Sequence, residues 1–334
     1  AEMGVLLSMT EWLERDGIGM DIWFPAEIES ARWEGDIYGL PMRTGGDANS
    51  LMFYNIDMLD QAGIGEVPTT WDELHAISRR LVRYDGDQLL QASISPHGGD
   101  LKSPAWLAAG GGLLYSADGK QVLFEGPEGL ATATWLYDHF TTMYRGGLAE
   151  LDGTFGTSQA KRRSAFINGQ LAFNFEGSWN FSIIKNEAPD LNYGVALRPV
   201  REEGDPPGIH AGTFHYAVPQ GVKDPELAWE LVKWLTLNEE TAGYFMFEQD
   251  RPSPVIAFSR NPAYWDENPY WSVVIEALTR VEPLAMYPFT YDVAVIFGDA
   301  LRDSMSGDKA PQAALADAAV RAQALIDEYW AGKQ

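Results

Sequence analysis

Along the chain, apolar and polar positions switch repeatedly between a helical and a strand period. Leu74, Ile77, Leu81 and Val82 recur at helical spacing behind Thr70-Trp71-Asp72-Glu73, where the Thr70 hydroxyl and the Glu73 carboxylate can satisfy two backbone amides reciprocally. The pattern predicts a capped helix beginning at Trp71. A second is predicted from Asp224-Pro225, an N-cap followed by proline at the first helical position, with Ala228, Leu231, Val232 and Leu235 on one face. A third runs from Pro311 to Trp330. Between the helices lie short apolar runs of strand type: Leu51 to Tyr54, Leu171 to Phe175, Tyr193 to Leu197 and Tyr216 to Val218. Strands alternating with helices imply α/β lobes. Turn-rich breaks at Arg43 to Ser50, Arg201 to Gly212 and Val281 to Pro288 are candidate crossings between lobes. No internal repeat or low-complexity tract is found.

Length changes this picture by requiring more than one core. With 334 residues and 46% hydrophobic content, the chain exceeds what a single core supports, so two lobes are expected. Acidic residues number 48 against 24 basic, a net charge of -24, which argues against nucleic acid or an anionic membrane surface as a partner. The charges are scattered, as on a solubilising surface. Cysteine is absent, which excludes thiolate metal sites, catalytic thiols and a disulfide framework. No apolar run reaches the roughly 20 residues that span a bilayer. The opening Ala1-Glu2-Met3 is not a basic, apolar, small-residue leader.

Enzyme signatures are absent from the same residues. His75, His97, His139, His210 and His215 show no HExxH or His-x-His spacing, so no zinc site or other metal is expected, and no cofactor. Gly110-Gly111-Gly112 lacks the Lys-Ser/Thr of a phosphate loop, Asp85-Gly86-Asp87 is a poor fragment of a calcium loop, and no Gly-x-Ser-x-Gly elbow appears.

Several stretches together carry a resemblance. Gly35-Asp36-Ile37-Tyr38-Gly39-Leu40-Pro41 is followed by Phe53-Tyr54-Asn55-Ile56-Asp57, Ala62-Gly63, and Pro68-Thr69-Thr70-Trp71-Asp72-Glu73-Leu74. Then come Ala165-Phe166-Ile167-Asn168-Gly169-Gln170-Leu171-Ala172-Phe173, Gly177-Ser178-Trp179, Tyr193-Gly194-Val195-Ala196-Leu197 and Ala217-Val218-Pro219. In this order and spacing the chain resembles the family 1 extracellular solute-binding proteins of sugar ABC importers, maltose-binding proteins among them. The resemblance implies a two-lobed periplasmic-binding-protein-like α/β fold with several hinge crossings and a ligand cleft between lobes. It implies a first lobe of 1–44 and 213–283 and a second of 45–212 and 284–334. It further implies a monomeric, periplasmic or extracellular carrier, a cell-surface lipoprotein being an alternative, that closes on a sugar and delivers it to a membrane permease. Family members carry an export signal and further strand–helix units ahead of the stretch matching Trp23 to Pro41, so the natural protein is expected to extend upstream of Ala1.

A sugar presents flat C–H faces and a rim of hydroxyls, so its pocket needs aromatic platforms with hydrogen-bonding groups at their edges. Among 12 Trp, 14 Tyr and 15 Phe most must be core. Trp179 stands where the resembling family stacks a tryptophan on the sugar. Gly212, Thr213 and Phe214 resemble the family's Gly-Gly-aromatic segment at the second crossing, with threonine replacing the second glycine. Arg43 and Thr44 stand at the first crossing, where the alternative role is a hinge salt bridge. Arg251 falls in a loop that often faces the cleft; it can bridge hydroxyls, hold a carboxylate, or pair with Asp250. Trp106 and Tyr291 are further cleft candidates whose alternative is the core. Two other classes stay open: a glycosidase, which needs two carboxylates about 5 to 9 Å apart, and a protein-binding scaffold.

Overall fold

The computed structural model describes residues 1–96, 102–210 and 212–333. His97 lies outside them. The chain divides into two compact units, one of Ala1–Ala48, Gly177–Glu187 and His210–Met286, the other of Asn49–Glu176, Ala188–Ile209 and Tyr287–Gln334. It therefore passes from one to the other at five points. Gly177–Glu187, expected in the second lobe, belongs to the first unit, which corrects that assignment and carries Trp179 with it. The reason is a long-range bond: the Ser178 N–H donates 2.8 Å to Asp47 of the first unit.

In the second unit the apolar runs form a five-stranded sheet, in the order Arg83–Asp85, Gln88–Ile94, Leu171–Phe175, Leu51–Asn55, Tyr193–Leu197. Gln88–Ile94 pairs parallel to Leu171–Phe175, and the other pairings are antiparallel. Every position of Leu171–Phe175 is buried; a strand covered on both faces has no polar alternation to display. The helix Trp71–Leu81 begins as predicted, with the Thr70 hydroxyl accepting from the Glu73 amide and Glu73 reaching back. Thr290–Met305 packs against Pro311–Ala331 and Pro127–Met143.

The first unit is built differently. Its described strands are two residues long: Arg32–Trp33 with Asp36–Ile37, and Leu40–Pro41 with His215–Tyr216. The run predicted over Tyr216 to Val218 is a strand only at its start, because the Val218 carbonyl instead accepts from Leu7 and Pro219 has no N–H to extend the ladder. The helix Pro225–Leu237 is capped by Asp224 as its sequence requires, and packs Trp229 and Val232 with Trp23, Leu40 and Val255 into a core.

Candidate functional site

Strand pairing in the first unit sets the site. The Met42 N–H donates 2.8 Å to the Phe214 carbonyl, and the Thr213 hydroxyl donates 2.8 Å to the Arg43 carbonyl. The Arg43 guanidinium then lies 4.4 Å from the centroid of the Phe214 ring, which is 58% exposed. Gly212 adopts φ +118°, a region open chiefly to glycine. That residue type at the crossing has a backbone reason.

Directly after Arg43 the chain turns inward. The buried Thr44 hydroxyl donates 2.9 Å to the Asp47 carboxylate, whose other oxygen accepts from the Ser178 amide. Asp47 thus anchors the start of the helix Trp179–Glu187, where a negative group is favoured. Trp179 is half-buried, and its ring folds back over Gly177: a Cβ there would sit 2.2 Å from it. Across from the ring, the Arg251 guanidinium stands 5.8 Å from its centroid. Arg251 is held by its backbone, its N–H donating to Met246 and its carbonyl accepting 2.8 Å from the Tyr264 hydroxyl. The Tyr264 ring stacks at 3.9 Å on Trp271.

The charges are arranged unevenly. Arg251 does not pair with Asp250, whose carboxylate lies 3.9 Å from Lys185 instead. Nor does Arg43 make the hinge salt bridge that was its alternative; the Nε atoms of both arginines are buried without a hydrogen-bond partner. Burial and the neighbouring Arg43 lower the Arg251 pKa, against the opposing influence of Asp47. Behind them Glu27 is fully buried and accepts 3.0 Å bonds from the Gly45 and Gly46 amides. Burial pushes its carboxyl up to about 8 and pushes the neighbouring His210 down to about 4. Their 3.5 Å approach is therefore a contact between two neutral groups at pH 7.

Seven of the residues singled out from sequence thus gather in the first unit: Arg43, Thr44, Trp179, Gly212, Thr213, Phe214 and Arg251. Trp106 and Tyr291 do not. Trp106, in the second unit, is 1% exposed and packs 5.8 Å from Trp135 and 5.2 Å from Phe175. Tyr291 lies half-exposed on the first turn of Thr290–Met305 in the second unit. Sequence reading missed Asp47, Ser178 and Glu27. The spacing Thr44-x-x-Asp47 was a usable signal for the first, since a hydroxyl and a carboxylate three apart bond across a tight turn. Glu27 gave none. Among the described residues no group of three or more His, Cys, Asp or Glu is placed to hold a metal ion, and no helix is long and apolar enough to cross a membrane.

Chemically, the cluster offers aromatic surface and two multidentate donors reachable from solvent, with the Asp47 carboxylate occupied in holding the backbone. That combination recognises an oxygen-rich ring and its substituents. Comparison with known proteins agrees in kind. A family described as bacterial extracellular solute-binding protein matches residues 1–242. A putative binding protein of Brucella abortus (strain 2308) is 24% identical over 295 residues, 88% of this chain and 69% of the relative. The galactooligosaccharide-binding protein of Bacillus subtilis (strain 168) is 25% identical over 323 residues, 93% of this chain and 71% of that protein. Among solved structures, an ABC transporter solute-binding protein from Thermotoga lettingae bound to α-D-tagatose superimposes with a TM-score of 0.75 at 20% identity, covering 97% of this chain and 81% of that one. The fold is that of the two-lobed binding proteins.

Proposed function

The chain belongs to the family of bacterial extracellular solute-binding proteins, and on that footing we propose that it captures a saccharide and delivers it unaltered to the membrane permease of an ABC importer. The observation that carries the reading is the half-buried Trp179 ring with the Arg251 guanidinium over it, aromatic surface and a multidentate donor side by side. Phe214 under Arg43 repeats the pairing, so a ring of several hydroxyls finds two such pairs. The galactooligosaccharide-binding relative and the tagatose-bound structure support the same class of ligand. The protein acts outside the cytoplasmic membrane, in the periplasm or anchored at the cell surface, and as a monomer. Ligand shifts the population toward a closed form, the motion being absorbed where the chain passes between its two units.

Catalysis is not part of this reading. Asp47 is tied to Thr44 and Ser178, and Glu27 is sealed beneath them, so neither carboxyl is presented as an acid or nucleophile. A thermal-shift screen of neutral and charged mono- and disaccharides tests the proposal, followed by chromatography of each stabilising sugar and small-angle scattering with and without it. At least one sugar should raise the melting temperature, be recovered intact and reduce the radius of gyration. If no sugar stabilises the protein the carrier reading fails; turnover above a heat-killed control would restore the glycosidase.

A further inference from the structure

Resting on the saccharide reading, we infer that the natural ligand carries an anionic group, a uronate-type carboxylate or a phosphate ester, received by Arg43 and Arg251. The observation is an absence of pairing where pairing should be easy. Acidic residues outnumber basic ones 48 to 24, yet no salt bridge or side-chain hydrogen bond joins either guanidinium to a described residue. Arg198 of the second unit is also unpaired, but it is sealed against Trp106 and Phe175. Arg43 and Arg251 are partly open to solvent, so a ligand can supply the anion that an unpaired, partly desolvated cation favours.

The neighbours do not neutralise them either. Asp47 acts on Arg251 through space, but its oxygens are already engaged by Thr44 and Ser178. The Glu27 carboxyl, pushed up to about 8 by burial, is chiefly protonated at pH 7. With two guanidiniums and one carboxylate, the cluster is locally cationic inside a protein of net charge -24. The opposing field of the distant acids is screened over roughly 8 Å at physiological salt, so the local charge decides what is held.

Geometry fits the same conclusion. Each guanidinium lies near an aromatic ring, Arg43 at 4.4 Å from Phe214 and Arg251 at 5.8 Å from Trp179. A saccharide that meets the open part of either aromatic ring is thus within reach of a planar donor fork. A carboxylate or phosphate on its rim meets charge-assisted bonds that a hydroxyl does not, and these are about twice as strong as neutral ones.

An array bearing neutral, uronate-bearing and phosphate-bearing mono- and oligosaccharides tests this. Calorimetry follows on matched pairs: galacturonate with galactose, glucuronate with glucose, and glucose 6-phosphate with glucose. An acidic member should bind at least tenfold tighter than its neutral counterpart, with affinity falling as salt is raised; which acid wins separates carboxylate from phosphate. In Arg251→Gln, and independently in Arg43→Gln, the acid-to-neutral ratio should collapse toward one, with circular dichroism confirming the fold. Neutral saccharides bound as tightly as their acids would overturn this inference and leave the carrier reading standing. Binding of none would overturn both. A preference for the acid that persists undiminished in both folded variants would remove Arg43 and Arg251 as its source.

Discussion

The molecule contains the same contact twice, an arginine over a tryptophan, in two opposite settings. In the second unit Arg198 lies 5.0 Å from Trp106 and 4.4 Å from Phe175, and the guanidinium and the indole are both sealed. In the first unit Arg251 lies 5.8 Å from Trp179, and both side chains remain partly open to solvent. Burial lowers the Arg198 pKa to about 9, so it stays charged at pH 7 with no hydrogen-bond partner for any of its nitrogens. Residue types and distance are nearly shared; access is not. Closed, the pair is a packing element. Open, it can exchange water for a ligand, which is the difference between stabilising a fold and binding something.

Acid should perturb the protein most, because both regions hold histidines kept neutral by burial. His139 of the second unit is pushed down to about 3, and His210 and His215 of the first to about 4. Their stability is fully present above the unfolded value of about 6.5 and is lost as pH falls toward the folded values. Glu27, pushed up to about 8, acts oppositely: its contribution is present below about 4.5 and lost as pH rises through 8. Between pH 6.5 and 4.5 the balance is two protons, roughly 2.7 kcal/mol of stability per pH unit. Above pH 6.5 Glu27 alone reverses the trend. Urea melts across pH 4.5 to 8 should therefore show a maximum near 6.5. His139→Leu should flatten the acid limb by about half, since the ring sits among Trp135, Phe140 and His75 with neither nitrogen bonded.

Trp106→Ala comes next, at about 3–5 kcal/mol of folding free energy. A urea melt reads it, and the saccharide preference of the folded fraction should not change. The complementary Trp179→Ala should weaken saccharide binding about ten- to a hundredfold, or about 1–3 kcal/mol, while shifting the urea midpoint little. If both substitutions cost stability alike and neither alters binding, the contrast between the open and closed pairs is lost. Smallest is Arg198→Met, which replaces a desolvated cation with an apolar chain of similar length. Stability should change by less than about 1 kcal/mol or rise, as differential scanning calorimetry would show.

Much of the second unit was legible in the sequence because its signals are local. Thr70 and Glu73 cap one another, and the runs at Leu171–Phe175 and Tyr193–Leu197 are strands over those residues. The first unit was less so. Its strands are two residues long and pair segments far apart in sequence, Leu40–Pro41 with His215–Tyr216, and no window of periodicity reports such pairing. The excursion of Gly177–Glu187 back to the first unit rests on long-range contacts, among them Ser178 to Asp47, Trp179 to Arg251 and Lys185 to Asp250. Among the site candidates, position by resemblance gathers Arg43, Trp179, Phe214 and Arg251, whereas Trp106, just ahead of Gly110-Gly111-Gly112, is core. Gly110 there serves packing instead, since a Cβ on it would crowd Thr132 and Trp71.

The discontinuity of the first unit also fixes a timetable for biosynthesis. Thr44 and Asp47 leave the ribosome early, but Ser178, which Asp47 holds, and Arg251 follow only after Asn49–Glu176 of the other unit has emerged. At about 5–20 residues per second, the roughly 200 residues between Thr44 and Arg251 take on the order of 10 to 40 s. For most of that interval Ala1–Ala48 lacks His215–Tyr216, which pairs with Leu40–Pro41, and Pro225–Leu237, which completes its core. Both arrive only after the last strand of the second unit's sheet, Tyr193–Leu197, has been made.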